Sequence, residues 1–199
     1  MRRIEVAGGI ASGKTTLAKR FEESGYHCVF ESFRENPFWR AFYEDIPRFA
    51  FETEVTFLLQ HYHGFNAIRE CSAAVVADYS VVLDRAYVDV TLDGTAKRAF
   101  LAVFDEVIRR LGPPDVLVHL RCDAEIELER ILRRSRDEES AITLEYLDRL
   151  NESIRAHAMQ LGAKQLVAID SGCMNFADDE VLAKDIIDEV ANRLSALAK

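Results

Sequence analysis

The segment GGIASGKTT, residues 8–16, carries the side chains whose chemistry is clearest. It fits the pattern G-x-x-x-x-G-K-[ST] between an apolar run and an amphipathic run, which is the strand, turn and helix context of a phosphate-binding loop. Glycines let successive N–H groups turn toward one anion, and the helix N-terminus adds partial positive charge. Lys14 would bind the β- and γ-phosphates and Thr15 would ligate Mg²⁺. The predicted triphosphate site comprises Gly8, Gly9, Ala11, Ser12, Gly13, Lys14, Thr15 and Thr16.

Two acidic residues stand where predicted strands end. Glu31 follows the apolar run CVF, and Asp78 follows VVA. Ligands of parallel sheets bind beyond the carboxyl ends of the strands, so both carboxylates should lie opposite the phosphate loop. Such a pair indicates a metal-bound triphosphate and a base that acts on an acceptor hydroxyl group.

The segment RILRRSRDEES, residues 130–140, has four arginines within seven positions of an otherwise acidic chain. A solvated helix face is the common meaning of such a run. This one follows the fourth predicted strand, where arginines can close over transferring phosphates. We therefore predict an arginine-rich lid at about residues 130–142, which would supply positive charge and exclude water.

The composition indicates one globular domain over residues 1–199, with 49% hydrophobic and 30% charged residues. A net charge of −9 argues against a nucleic acid polymer as partner, so a small substrate is expected. No apolar run approaches the length of a membrane span, and we expect a cytoplasmic protein without a membrane partner. The cysteines are far apart, without a C-x-x-C pair, and are expected to be reduced. They are Cys28, Cys71, Cys122 and Cys173.

Short apolar runs alternate with longer amphipathic ones, which predicts an α/β fold. It should be a three-layer sandwich, with a five-stranded parallel sheet covered by helices on both faces. The predicted strands span residues 3–7, 27–31, 73–78, 116–121 and 165–169. The predicted helices span residues 13–24, 37–45, 48–70, 95–111, 123–135, 143–161 and 178–198.

Several segments together resemble the P-loop deoxynucleoside kinases, and most resemble the compact bacterial deoxyguanosine and deoxyadenosine kinase branch. They are GGIASGKTT, ESFRENPFW, FAFETEVTFLLQ, ADYSVVLDRAYV and RILRRSRDEESAITLEYLDRL. The match runs from Ile4 to about Leu150 and is weaker beyond. It implies transfer of the ATP γ-phosphoryl group to the 5′-hydroxyl of a deoxynucleoside, with Mg²⁺, in nucleotide salvage. It also implies a homodimer, to which the apolar helices at 48–70 and 95–111 could contribute.

The resemblance assigns roles to the chemical groups near the phosphates. Glu31 matches the general base, and Asp78 matches the acid that helps to hold the metal and the reacting groups. Arg130, Arg134 and Arg136 match lid arginines. Of these, Arg130 would bind phosphate and Arg134 would stack on the adenine of ATP.

Other matched positions concern the deoxynucleoside. Tyr43 and Glu139 would hold the 3′-hydroxyl group of the sugar. The segment ENPFW, residues 35–39, would begin a helix that walls the nucleoside pocket together with Phe51 and Phe57.

The substrate-binding positions depart from the family pattern. Tyr79, which is expected to contact the substrate, follows Asp78 where many members have an arginine that would contact the 5′ region. His61 stands where an arginine often touches the base. Glu54 stands where a glutamine usually binds the base, and Asp84 matches a second base-facing acid. An ionised carboxylate accepts but does not donate hydrogen bonds, and guanine alone among the common bases presents two neighbouring donors. The sequence therefore predicts a preference for deoxyguanosine.

Two other classes of function remain open at this point. A P-loop kinase of the same fold could act on a nucleoside monophosphate or another small alcohol, but a phosphorylated acceptor needs a basic site, and ENPFW supplies acid and aromatic groups. A regulatory nucleotide-binding protein without turnover is the other class. The intact set Lys14, Thr15, Glu31 and Asp78 argues against it.

Overall fold

The computed structural model describes residues 2–197. Its five strands are β1 (Arg2–Gly8), β2 (His27–Val29), β3 (Ala74–Ala77), β4 (Val116–Arg121) and β5 (Leu166–Asp170). All neighbouring strands are parallel, in the order β2-β3-β1-β4-β5, which makes β1 the central strand. The predicted five-stranded parallel sheet is confirmed, and each predicted strand end lies within two residues of the observed one.

Helices cover both faces of this sheet. Along a strand, successive side chains point to opposite faces: Val6 packs with helices on one side and Ala7 with helices on the other. The first side carries α1 and α8, and the second carries α4, α6 and α7, which confirms the predicted three layers. The α-helices of the described residues are α1 (Lys14–Glu23), α2 (Trp39–Glu44), α3 (Ile46–Ala67), α4 (Val81–Thr91), α5 (Gly94–Leu111), α6 (Ala124–Arg134), α7 (Leu144–Ala158) and α8 (Glu180–Ala196).

Helix α4 was missing from the sequence prediction. It begins with two β-branched valines directly after a strand, a composition that does not favour a helix on its own. Ser80 starts the helix as its N-cap, since its Oγ accepts a hydrogen bond from the Val82 N–H at 3.1 Å. The same hydroxyl donates to Oε2 of the buried Glu5 at 2.7 Å. Tertiary contacts with the central strand therefore fix a helix that local propensity does not.

The predicted helix at 37–45 is shorter in the structure. A 3₁₀ helix at Phe33–Glu35 precedes α2, which begins only at Trp39. Asn36 holds the turn between them: its Oδ1 accepts from the Phe38 N–H and its Nδ2 donates to the Thr53 carbonyl, both at 3.0 Å. The prediction for the last helix included residue 198, which lies outside the described residues.

The helices and cysteines of the described residues have two further features. Across residues 2–197, no helix has the length and apolarity that a bilayer crossing requires. The cysteines Cys28, Cys71, Cys122 and Cys173 are all free thiols.

Candidate active site

A cavity of about 1000 Å³ opens at the carboxyl edge of the sheet. One part, here called the loop end, is formed by residues 10–16, the lid arginines and the segment 171–178 after β5. The other part, here called the helical end, is formed by side chains of α2, α3 and α4. Glu31 and Asp78 lie between the two, so the strand ends bring together the groups that the sequence placed there.

The phosphate loop at the loop end has the backbone that its sequence predicts. Gly13 has φ of 103° and Ala11 has φ of 63°, both in the left-handed region. The Lys14 ammonium group donates to the carbonyls of Gly8 at 2.9 Å and Gly9 at 2.8 Å. Burial lowers the pKa of Lys14, although nearby carboxylates oppose this effect. Its charge therefore lies inside the curve of the loop.

Gly8 and Gly9 lie behind the cavity surface, and their role is close packing. A Cβ at Gly8 would lie 2.8 Å from the backbone carbonyl oxygen of Leu120, and one at Gly9 would overlap the ends of the Glu127 and Asn151 side chains. A side chain at Gly8 would therefore push the loop away from β4, and one at Gly9 would displace those two side chains. They support the predicted site through this packing, and Ala11, Ser12, Gly13, Lys14, Thr15 and Thr16 line the cavity.

Asp78 connects the phosphate loop to the end of β2. Its Oδ2 accepts from the Thr15 hydroxyl at 2.7 Å, and its Oδ1 accepts from the Glu31 N–H at 2.6 Å. Burial raises the pKa of Asp78, and these two hydrogen bonds oppose the rise. The oxygen atoms of Thr15 and Asp78, both of the type that ligates hard cations, thus lie together beside the loop.

Glu31, His61 and Asp84 form a chain of hydrogen bonds at the helical end. The His61 ring lies between the acids, with Nε2 3.0 Å from Oε1 of Glu31 and Nδ1 2.8 Å from Oδ1 of Asp84. Burial alone would lower the pKa of His61, but the two carboxylates raise it to about 10. The cationic ring in turn lowers the pKa of Glu31 despite the burial of that carboxyl group. The ring is therefore a cation at neutral pH and Glu31 is ionised.

The structure corrects two predicted contacts of the helical end. Phe51 is 38% exposed and lies outside the cavity, because it points away from the face of α3 that carries Glu54 and Phe57 into the cavity. Tyr79 is buried behind the His61 ring, with centroids 4.3 Å apart, and does not line the cavity. Predicted pocket residues that do line it are Tyr43, Glu54, Phe57, His61, Asp84 and Glu139.

The lid arginines are held by oxygen atoms of the protein itself. Arg130 donates to the carbonyl oxygens of Ser171 at 2.8 Å and Ala11 at 3.3 Å. Arg134 and Arg136 both pair with the buried Glu139, at 2.6 and 3.2 Å. The guanidinium group of Arg136 also lies 4.8 Å above the Phe33 ring. The lid therefore lies over the cavity and contacts the segment before α2.

Two features in and behind the site were missed in the sequence analysis. Residues 171–178 form a large part of the loop end, but their composition is that of an ordinary surface turn. Glu127 is fully buried against Gly9 and accepts from Asn151 at 2.9 Å; burial raises its pKa to about 7. One signal for Glu127 was available, since it shares the inward face of α6 with Ala124 and Ile131.

A phosphate loop after the central strand, with two acids and lid arginines beside it, defines a P-loop phosphotransferase. The sequence model of the family "Deoxynucleoside kinase" matches residues 4–195, so the chain belongs to this family. It is accordingly a deoxynucleoside kinase, a phosphotransferase with an alcohol acceptor that uses a nucleotide phosphate donor.

Named relatives support the same assignment. The chain is 25% identical over 198 residues to the deoxyadenosine/deoxycytidine kinase of Bacillus subtilis (strain 168), covering 95% of this chain and 91% of the relative. It is 25% identical over 166 residues to the deoxyguanosine kinase of the same organism, covering 79% of each chain. Among solved structures, the deoxyadenosine kinase from M. mycoides with bound dCTP has the same fold, with a TM-score of 0.81 and 20% identity. That alignment covers 96% of this chain and 99% of the other.

Proposed function

We propose that this kinase transfers the γ-phosphoryl group of ATP to the 5′-hydroxyl group of a deoxynucleoside, with Glu31 as the general base. The observation that carries the proposal is the position of Glu31 between the phosphate loop and the helical end. Its carboxylate faces Lys14 closely enough for each group to shift the pKa of the other. An ionised carboxylate at this boundary can accept the proton of a hydroxyl group that attacks a phosphate in the loop.

The loop end would bind the triphosphate. Lys14 would donate to phosphate oxygens in place of the carbonyls of Gly8 and Gly9. Arg130 would likewise donate to a phosphate oxygen in place of the Ser171 carbonyl. Arg134 is close enough to Lys14 to lower the pKa of that amine. Arg134 would stack on the adenine ring of ATP, as the family resemblance implies. Arg136 completes the set of cations on this side.

Thr15 and Asp78 would hold Mg²⁺. Their oxygen atoms, 2.7 Å apart, are hard donors of the type that Mg²⁺ prefers. When bound there, Mg²⁺ would neutralise charge on the phosphates. The protein would contribute one hydroxyl and one carboxylate oxygen, and the triphosphate and water would supply the rest of the shell.

The helical end would bind the deoxynucleoside. Phe57 lies beside the His61 ring with centroids 5.9 Å apart and offers an apolar surface to a base. Tyr43 and Glu139 would hold the 3′-hydroxyl group of the sugar; they lie close enough for Glu139 to raise the pKa of the Tyr43 hydroxyl. Glu31 faces the acceptor as an ionised carboxylate, which disfavours an acceptor that already carries a phosphate at the 5′ position.

The identity of the base is a separate part of the proposal. Deoxyguanosine is the acceptor expected if Glu54 binds the base as an ionised carboxylate, because guanine supplies two adjacent donors, N1–H and the 2-amino group. The relatives named above are kinases of deoxyadenosine, deoxycytidine or deoxyguanosine, so the family assignment does not choose among these acceptors. The protonation state of Glu54 decides how strong this preference is.

A homodimer is also proposed, supported by apolar side chains left exposed on α3 and α5. Phe51 is 38%, Leu59 47% and Val103 38% exposed, although these helices also contribute to the core. Single apolar residues are common on surfaces, but Phe51 and Leu59 lie two turns apart on one helical face. Light scattering on the purified protein should give twice the monomer mass of 22.6 kDa.

The test of the function is phosphorylation of the four deoxynucleosides by ATP, with Glu31→Gln as the diagnostic variant. Gln keeps the size and one acceptor but is not basic, so turnover should fall by about 10²-fold or more with a smaller change in deoxynucleoside affinity. Glu35→Gln is the matched control, because Glu35 is an exposed acid four residues further on. A loss confined to affinity would make Glu31 a binding residue and contradict the proposed base.

A further inference from the structure

Glu54 has an environment unlike that of the other acids in the cavity. It lies on α3 with 3% of its surface exposed, and it lines the helical end. The side-chain donor that reaches it is the Thr91 hydroxyl, at a long 3.4 Å. A buried carboxylate normally requires several short hydrogen bonds or a cation to remain charged.

The cations near Glu54 are already engaged. His61 has one ring nitrogen on Glu31 and the other on Asp84, so it has no further N–H to donate. Arg85, the cation next to Asp84 in the chain, pairs with Asp89 instead, and Arg149 of α7 donates to the Val90 carbonyl. The groups whose charge or hydrogen bonding couples to Glu54 are Glu31 after β2, Tyr43 on α2, His61 on α3, Asp84, Tyr87 and Thr91 on α4, and Tyr146 on α7.

The charges of this cluster do not balance if every acid is ionised. Three carboxyl groups, on Glu31, Asp84 and Glu54, share one cationic imidazole. Glu31 and Asp84 each receive a hydrogen bond from that ring, so Glu54 is the acid without compensation. Burial, and next the negative charge of Asp84, raise the pKa of Glu54 well above its ordinary range. Burial raises the pKa of Asp84 as well, but the short hydrogen bond from the cationic His61 ring opposes that rise. The contacts of the two acids therefore favour Glu54 as the site of a shared proton.

We propose that Glu54 binds the nucleobase as a neutral carboxylic acid, and that its ionisation at higher pH narrows the acceptor range toward deoxyguanosine. This inference rests on the proposed function, in which Glu54 faces the base. A neutral acid presents one O–H donor and one carbonyl acceptor, as a glutamine presents one N–H and one carbonyl. All four common bases offer an edge with an adjacent donor and acceptor, so the neutral form accepts them broadly. The ionised form only accepts hydrogen bonds, and guanine alone offers it two adjacent donors, N1–H and the 2-amino group.

The decisive measurement is the ratio of kcat/KM for deoxyguanosine to that for deoxyadenosine, followed from about pH 6 to about pH 8.5. The ratio cancels steps common to both substrates, such as proton transfer to Glu31. For the unmodified enzyme it should rise with pH by about 10-fold or more, and for Glu54→Gln it should stay flat. Glu52→Gln, an exposed acid on the same helix, is the matched control and should follow the unmodified enzyme.

The comparison near neutral pH can overturn the proposal. There the ratios of the unmodified enzyme and Glu54→Gln should agree within about 3-fold. An ionised Glu54 would instead make Glu54→Gln lower the ratio by roughly 10- to 200-fold, the discrimination of one good bidentate pair. A ratio that stays flat with pH in the unmodified enzyme would also contradict the proposal.

Thermal unfolding gives a readout that does not depend on activity. A carboxyl group that is ionised in the unfolded chain and neutral in the folded protein destabilises the fold increasingly as pH rises above its unfolded pKa. Glu54→Gln should therefore melt at a higher temperature than the unmodified enzyme at pH 8, by a margin that shrinks toward pH 5. A variant that melts lower at pH 8 would show a compensated, ionised Glu54.

Failure of the inference differs from failure of the proposed function. If no deoxynucleoside is phosphorylated from ATP, the proposed function fails whatever the melting curves show. If turnover is normal but Glu54→Gln and Glu54→Ala both leave base selectivity unchanged at every pH, Glu54 does not face the base. That result overturns the proposal while leaving the kinase activity intact.

Discussion

The loop end and the helical end of the cavity are built from different parts of the chain. The loop end depends on a short contiguous backbone segment, whose positive φ angles at Ala11 and Gly13 curve the chain around the Lys14 charge. The helical end depends on side chains from three helices, and one histidine is hydrogen-bonded to two acids, Glu31 and Asp84. The first arrangement is specified locally and tolerates changes elsewhere. The second is a balance of charges, and a change at any member alters the others.

The largest expected loss of turnover follows from a substitution at the loop end. Lys14→Ala should lower turnover by about 10²-fold or more, because the cation that lies inside the loop stabilises phosphate charge as the transition state forms. The free energy of unfolding should change by less than about 1 kcal/mol, since the amine contacts only loop carbonyls. Steady-state kinetics and urea unfolding check both values, with Lys184→Ala on the exposed side of α8 as control. Near-native turnover at saturating ATP would exclude this loop from catalysis.

A smaller kinetic effect is expected at the helical end, with a larger cost in stability. His61→Gln removes the cation between two acids, so unfolding should become easier by on the order of 3 kcal/mol. Glu31 loses the charge that lowers its pKa, and its pKa rises. Because the base must be ionised, the decline of turnover on acidification should begin at a higher pH than in the unmodified enzyme.

The pH profile separates this prediction from simple unfolding. If His61→Gln lowers turnover equally at every pH where it remains folded, the ring acts only as packing against Tyr79. Circular dichroism at each pH identifies the folded range. A shifted acidic limb within that range would support the electrostatic link between the histidine and the base.

The smallest expected effect concerns the contact that joins the two ends. Phe33→Leu removes the aromatic face beneath Arg136, a cation–π contact worth about 0.5–1 kcal/mol at a half-exposed site. The KM for ATP should rise by roughly 2- to 5-fold while kcat changes little. A fall in kcat comparable to that of Lys14→Ala would mean that Phe33 orders the reacting groups as well as the lid.

The same contrast explains which features the sequence could predict. The phosphate loop and the acids at strand ends follow from motif spacing and from the strand alternation, and the structure brings Lys14, Thr15, Glu31 and Asp78 together. Local patterns were sufficient there because each group lies beside a strand end. The parallel sheet and its three layers follow from the same alternation, whereas the order of the strands does not.

The helical end was predicted less completely because its contacts are tertiary. Phe51 and Glu54 are three residues apart on one helix, and only the packing of that helix decides that Glu54 faces inward. The fold supplies His61 from another helix as the partner of Asp84, whereas Arg85, the neighbour of Asp84 in the sequence, pairs with Asp89. The ionised state assumed for Glu54 likewise depends on which cations lie near it in the fold. The spacing of residues along the sequence does not predict those contacts.

Glu139 also has a practical consequence for mutational screening of the lid. Its carboxyl group is 3% exposed and is shared by Arg134 and Arg136. A library that replaces both arginines leaves a buried negative charge without a partner, which costs several kcal/mol. Such variants would be scored as poor nucleotide binders when they are poorly folded proteins. Including Glu139→Gln in the same library removes the unpaired buried charge. The effect of lost phosphate contacts can then be told apart from the effect of poor folding.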